Sequence, residues 1–318
     1  MCTAISYLNT DHYFGRTLDY EHGFGEEIVF TPRNFPLPFR QLPTLAHHHA
    51  ILGMAHLEDG YPLYYDAMNE TGLCMAGLNF VGFARYDTRG RDKAAPFEFI
   101  PWVLGQCKTV DQARILLTHT ALTETDFSDR LPAARLHWLI ADRTGSIVVE
   151  PLSDGLHIHD DPVGVLTNNP TFPEQLHHLA NFAHLSPLPP RKPLPFGLEP
   201  VSRGTGAVGL PGDLSSQARF VRAAFAKLHP QCPQQETLSQ FFHILGSVEQ
   251  VRGCCRLENG TLPHTIYTSC CNATRGIYYY TTYRNRRITA IDMNRENPEG
   301  RALVRYPLMT EEDILLQN

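Results

Sequence analysis

Apolar and polar positions alternate with a period of two over roughly the first eighty residues, in short runs separated by turn residues. CTAISYL, DHYFGRTLDY and EEIVFTPR are broken by Asn9-Thr10-Asp11 and Gly23-Phe24-Gly25. ILGMAHL, PLYYDAMN and GLCMAGLNF continue across Asp59-Gly60 and Glu70-Thr71-Gly72. The pattern predicts an antiparallel meander. After Pro96 the period lengthens: PFEFIPWVLGQC reads as a helix kinked at Pro101, and Thr109 with Gln112 forms a capping box for a helix carrying Val110, Ala113, Leu116 and Leu117. Strands return at LHWLIA and SIVVE, joined through Asp142-Arg143-Thr144-Gly145, and at GLHIHD and VGVLTN.

A short helix with Leu176, Leu179, Ala180 and Ala183 on one face follows. The proline- and glycine-rich stretch 184–214 excludes a regular element and is expected to be a surface loop or assembly arm. Asp213 or Ser215 caps the next helix, whose apolar stripe is Phe220, Val221, Ala224, Phe225 and Leu228. Another presents Leu238, Phe241, Phe242 and Leu245 and stops at Gly246. HTIYTSCC, GIYYYTTY and RITAID close the chain as strands. Antiparallel strands segregated from helices predict an α+β fold: one domain over 1–318, two stacked sheets with helices outside, four layers in all.

A chain of 318 residues buries a large core. A net charge of −6 without a Lys/Arg block excludes nucleic acid or an anionic membrane surface as the main partner and leaves a small, amphiphilic ligand. The start lacks the basic and apolar regions of a signal peptide, and no apolar run is long enough to span a bilayer, so the expected location is the cytoplasm. There the eight cysteines are thiols. Cys254-Cys255 and Cys270-Cys271 are neighbours that point to opposite faces of a strand, no C-x-x-C occurs, and His47-His48-His49 do not converge on one ion. No metal or other cofactor is expected.

The chemistry starts at Cys2. Removal of Met1 gives one residue a thiol and a free α-amine that titrate within about a unit of each other, so it can serve as nucleophile and base together in amide hydrolysis through a thioester. Arg16 and Asp19 are three apart on one strand and face opposite sides unless a bulge near Gly15 or the strand's end intervenes. The arginine would favour a thiolate and the carboxylate would orient the amine. Asn79 and Asn168 end strands, where an oxyanion needs rigid donors, though Asn168-Asn169-Pro170 is also a turn signal. Arg219 and Arg222 meet a substrate carboxylate or a catalytic network, or lie on the solvated side of their helix.

CTAISY, YFGRTLDY, YPLYYDAMNETGLCMAGLNF, LHWLIADRTGSIVVE, GVLTNNPTF, GLPGDLSSQARFVRAAF, FFHILGSVEQVRG and YTSCCNATRGIYYYTTY together resemble the choloylglycine hydrolase family, and within it the bile salt hydrolase branch. The resemblance covers nearly the whole chain. It implies an N-terminal nucleophile hydrolase with an αββα sandwich, acting on the amide that joins a bile acid to glycine or taurine. Cys2 would be its nucleophile after loss of Met1, Arg16 and Asp19 the charged pair beside thiol and amine, Asn79 and Asn168 the oxyanion hole, and Arg219 the remaining active-site arginine. Asn169 falls beside the matched position and ranks behind Asn168. The family's penicillin V acylases often carry tyrosine where this chain has Asn79, which favours bile salts. Tyr20 and Phe24 flank the catalytic strands and are expected to line the steroid pocket. The opening Met-Cys matches members without a signal peptide or long propeptide, and a homotetramer is carried over with the family. Penicillin V or acyl homoserine lactone cleavage, a catalytically silent ligand-binding module and a metal-binding protein are the alternatives.

Overall fold

The structure, a computed structural model, describes residues 1–86, 90–189 and 202–318. β1 (Cys2–Leu8) and β2 (His12–Tyr20) form a hairpin, and β3 (Glu27–Thr31), β4 (Ile51–Glu58), β5 (Tyr61–Asn69) and β6 (Cys74–Asn79) form a meander. β7 (Asp92–Ala94) and a 3₁₀ turn at Pro96–Glu98 lead into α1 (Phe99–Gln106), α2 (Val110–Leu117) and β8 (Thr120–Leu122). β9 (Leu136–Asp142), β10 (Gly145–Leu152) and β11 (Gly155–Asp160) form a second meander, and β12 (Val165–Leu166) precedes α3 (Phe172–Ala180). The remainder holds α4 (Ser216–Leu228), α5 (Thr237–Gly246), β13 (His264–Asn272), β14 (Ile277–Thr282), β15 (Thr289–Asp292) and β16 (Val304–Pro307).

Two antiparallel sheets are stacked, one ordered β12-β1-β2-β13-β14-β15 and the other β11-β10-β9-β6-β5-β4-β3-β16. One apolar cluster fills the space between them and continues beneath α4 and α5, with Phe14, Leu52, Leu78, Phe220 and Phe241 among its members. A second lies between the eight-stranded sheet and α1 and α2, around Phe99, Val103, Leu117 and Trp138. The four layers are therefore α, β, β, α, as the segregation of strands and helices predicts.

The expected single meander is broken after β2: the chain leaves one sheet and starts the other at β3. Period-two alternation is the same in either sheet, so periodicity carries no mark of that crossing. β7, β8 and β16 are also additions to the predicted set. Pro101 lies in the first turn of α1, where its missing N–H has no intrahelical acceptor to forgo, so α1 runs on to Gln106 instead of breaking there. Thr109 accepts from the Gln112 N–H, but the Gln112 side chain answers to Lys108 N, one residue before the position a capping box uses. Ser215 is the cap of α4, accepting from Ala218 N, and Asp213 in turn accepts from Ser215 N. The stripe of α4 is shifted: Ala218, Arg219, Phe220, Val221, Ala223 and Ala224 are buried while Leu228 is exposed. Of the stretch 184–214, residues 190–201 lie outside the described residues. Its two ends are joined by a bond from Ser186 N to Gly206 O of 3.0 Å.

Gly15 sits where β2 meets β13. A Cβ there would lie 2.0 Å from Ser269 O, so no other residue lets these two strands approach as they do.

Candidate active site

Cys2 opens β1 opposite Leu18 of β2. Alternation sends Cys2, Arg16, Leu18 and Tyr20 into the space between the sheets, and Thr3, Thr17 and Asp19 toward α4. Arg16 and Asp19 thus do lie on opposite faces, and no bulge near Gly15 brings them together. They address different ends of Cys2.

On the inter-sheet face the Arg16 guanidinium is fully buried. Nη2 donates to Cys2 Sγ at 2.6 Å, and Nη1 to Gly77 O at 2.5 Å and Tyr65 O at 3.3 Å. The Tyr65 carbonyl is available because β5 carries a bulge: Met54 pairs with Asp66 and Ala55 with Tyr64, leaving Tyr65 as the extra residue. Burial works against the charge on Arg16, but the acidic groups of Cys2, Tyr267, Asp66 and Asp19 outweigh it and hold the guanidinium firmly protonated. Asp66 stands behind, accepting from Tyr278 Oη (2.6 Å), Tyr267 Oη (2.7 Å) and Ser269 Oγ (3.0 Å). Burial pushes this carboxyl up, opposed by Arg16 and the three hydroxyls. Ser269 Oγ also accepts from Arg16 N at 3.1 Å, which ties the network to β2.

On the helix face stands Arg219. Left open by the helix pattern as a solvated charge, a substrate-binding one or part of a catalytic network, and expected from the resemblance to be the remaining active-site arginine, it is buried and faces Cys2 from beneath the sheet. Nη1 donates to Cys2 O and, at 2.8 Å, to Thr3 Oγ1; Nη2 donates to Asn168 Oδ1 at 2.7 Å. Burial depresses Arg219 while Asp19 and Cys2 oppose it. Asp19 is the matching buried acid. Burial pushes it up against the charges of Arg219 and the amino terminus, and it accepts from Thr265 Oγ1 at 2.6 Å and Thr17 Oγ1 at 3.2 Å. A bulge on β13 at Ile266 falls opposite this point. Met1 pairs with the Asp19 main chain in both directions. Arg222, by contrast, is spent on carbonyls, donating to Ser247 O, Pro211 O and Asp213 O.

Asn168 joins the two halves. Its Oδ1 accepts from Cys2 N at 2.8 Å and from Arg219, which fixes the orientation of the amide, and its Nδ2 donates to Asn79 O at 2.7 Å. The second Nδ2 proton has no partner among the described residues. Ser216 Oγ holds the Asn168 N–H at 2.8 Å and Gln175 Nε2 its carbonyl at 3.2 Å. Asn169 is exposed. Asn79 lines the cavity that Cys2 faces, and its side-chain amide has no protein partner among the described residues.

That cavity measures about 460 Å³ and has Cys2 and Arg16 in its wall. Leu18, Tyr20, Phe24, Phe97, Ile100, Phe127 and Trp138 make it mostly apolar. Tyr20 and Phe24 are in contact, ring centroids 5.2 Å apart. The structure brings all six predicted catalytic residues and both predicted lining residues to one place. Sequence reasoning missed Asp66, Ser216 and Gln175; the only hint of Asp66 is a carboxylate inside the apolar run PLYYDAMN.

An antiparallel αββα sandwich whose first strand delivers a thiol to an apolar cavity is the N-terminal nucleophile hydrolase fold. Within that class residues 2–306 match the linear amide C–N hydrolases of the choloylglycine hydrolase family, and the chain belongs to that family. It is 49% identical over 317 residues to the bile salt hydrolase/transferase of Lactiplantibacillus plantarum, covering 98% of each. Its structure resembles that of the C2A mutant of conjugated bile acid hydrolase from Clostridium perfringens with a TM-score of 0.92 and 36% identity, over 100% of both chains. The penicillin V acylase of Agrobacterium tumefaciens shares the fold, with a TM-score of 0.76 and 22% identity over 97% of this chain and 92% of its own. No helix among the described residues is long and apolar enough to cross a membrane.

Proposed function

We propose that this chain hydrolyses the amide joining a bile acid to glycine or taurine, with Cys2 as N-terminal nucleophile once Met1 has been removed. The observation that carries the reading is the Cys2 sulfur in the wall of an apolar cavity with Arg16 donating to it at 2.6 Å. The names of the Lactiplantibacillus plantarum and Clostridium perfringens relatives support the substrate class.

In this reading Sγ attacks the amide carbonyl and its proton passes to the Cys2 amine, which Asn168 Oδ1 holds in place. Asn79 and the free Nδ2 proton of Asn168 meet the oxyanion. As the C–N bond breaks, the Cys2 ammonium returns a proton to the departing nitrogen. The amine then takes a proton from water, whose oxygen attacks the thioester and releases the bile acid and the thiol. An amine in place of water would give acyl transfer, in keeping with the relatives' double name. Asp19 and Arg219 hold Cys2 from beneath, and Tyr20 and Phe24 take part of the steroid face. A homotetramer in the cytoplasm goes with this reading.

Amine release from glycocholate, taurocholate and penicillin V, by protein whose Met1 status is known from intact mass, tests it. A conjugated bile acid should be preferred, Cys2→Ala should abolish release, and Asn168→Ala should lower kcat by about 10²–10³-fold. Preference for penicillin V would overturn the substrate. No cleavage by protein with a free Cys2 amine would overturn the chemistry and favour a silent binding module.

A further inference from the structure

Two buried ionisable groups stand next to the site with no role in the steps above. His137 on β9 and Glu150 on β10 are fully buried neighbours across the strand pair. His137 Nδ1 lies 3.2 Å from Glu150 Oε1 and Nε2 lies 3.0 Å from Thr167 O, so the ring faces an oxygen at each end. The Glu150 carboxylate also accepts from Phe172 N, at 2.9 and 3.1 Å, and so holds the first turn of α3. Burial alone would raise Glu150, but the bonds from His137 and His159, the charge of His137 and the Phe172 N–H bring it below its ordinary range.

The position of this pair gives it a use. The His137 ring lies flat on Phe80, centroids 4.2 Å apart and planes at 6°, and Phe80 follows Asn79. Its Nε2 contact is with Thr167, which precedes Asn168. Asn79 ends a strand of the eight-stranded sheet while Asn168 follows β12 of the six-stranded one, so their separation depends on how the two sheets meet at this corner. A buried polar pair is a poor source of stability compared with apolar side chains of like volume, and stability alone gives no reason for one here.

We infer that His137, held by Glu150, is a positioning residue that fixes the two asparagines relative to each other. The inference rests on the proposal that they receive the oxyanion. Misplacing donors that act mainly on the transition state lowers kcat and leaves KM nearly alone, whereas a loosened core lowers the melting temperature.

The test compares His137→Phe, which keeps the stacked ring and removes both hydrogen bonds, with His137→Gln, which keeps a donor for Thr167 O. Turnover of glycocholate or taurocholate is normalised to the fraction of chains whose Cys2 is alkylated by iodoacetamide, read from the mass of the N-terminal peptide because the other thiols, exposed Cys254 among them, also react. His137→Phe should lose about 10²-fold in kcat with KM within about twofold, and His137→Gln should regain about tenfold of that loss. Glu150→Gln, nearly isosteric, carries the test if His137→Phe does not fold, with an expected loss of about tenfold in kcat. Val148→Ala, buried on the same strand, should lower the melting temperature and leave kcat per titrated thiol unchanged. Wild-type turnover with a large loss in Asn168→Ala but none in His137→Phe or Glu150→Gln overturns this inference alone. So does a His137→Gln no better than His137→Phe. Full activity in Asn168→Ala removes the oxyanion reading and this inference with it.

Discussion

Two buried arginines grip Cys2 from opposite faces of one strand, and they do so under opposite electrostatic conditions. Arg16 looks into the cavity, touches the sulfur and is held charged by several acidic groups. Arg219 looks at the helices, touches the Cys2 carbonyl and Asn168, and is opposed by burial with Asp19 as its main counter-charge. The first touches the sulfur. The second touches the main chain that carries it.

The comparison breaks most sharply at Arg219. Arg219→Gln should strip Cys2 O, Thr3 and Asn168 of their buried donor and Asp19 of its main counter-charge, and cost about 3–5 kcal/mol in urea unfolding. Adding Asp19→Asn should restore part of that loss, and strict additivity of the two would show that the pair is not coupled. Arg16→Gln should act on chemistry instead, lowering kcat by about 10²-fold, some 2.7 kcal/mol, with a smaller change in unfolding. Equal effects of the two substitutions on kcat and on stability would erase the distinction.

A smaller effect separates both arginines from the strand that carries Arg16. His12 begins β2, away from the cavity, and burial, helped by Arg143 and Lys227 and opposed by Asp142, depresses it to about 4. The unfolded chain then binds the proton first, so this contribution is complete above the ordinary histidine value and is lost as pH falls toward 4. Between pH 7 and pH 5 it amounts to about 2 kcal/mol. Urea midpoints of wild type and His12→Gln should therefore diverge over that interval; parallel midpoints would show that His12 is not the titrating group.

Residue types made much of this legible. A cysteine after Met1, an arginine and aspartate on one hairpin strand, and asparagines at strand ends are chemistry that can be read without coordinates, and the alternation places Arg16 and Asp19 on opposite faces correctly. What could not be read is where the pattern is degenerate. Alternation is the same in both sheets, so the crossing between β2 and β3 left no trace. The extra residues Tyr65 and Ile266 look like any others in their strands, yet they re-aim the backbone on either side of Cys2. Helix periodicity leaves Arg219 open between a solvated charge and a site residue, and only the resemblance puts it at the site, because the groups that make its burial tolerable, Asn168, Thr3 and Asp19, come from 51 to 216 residues away in the chain.

The register of β1 bears on how the molecule comes into being. Ala4 pairs with Leu166, and Cys2 is bonded by Asn168 and Arg219, so a residue near the start of this sequence has its surroundings completed by segments that follow it at a distance along the chain. Local hairpins such as β9–β10 close over a few residues, but the strand that bears the thiol must wait for a loop of some 160 residues to be drawn shut. The surroundings of Cys2 are accordingly among the last parts the folding chain completes, and their formation reports on the whole sandwich rather than on any part of it.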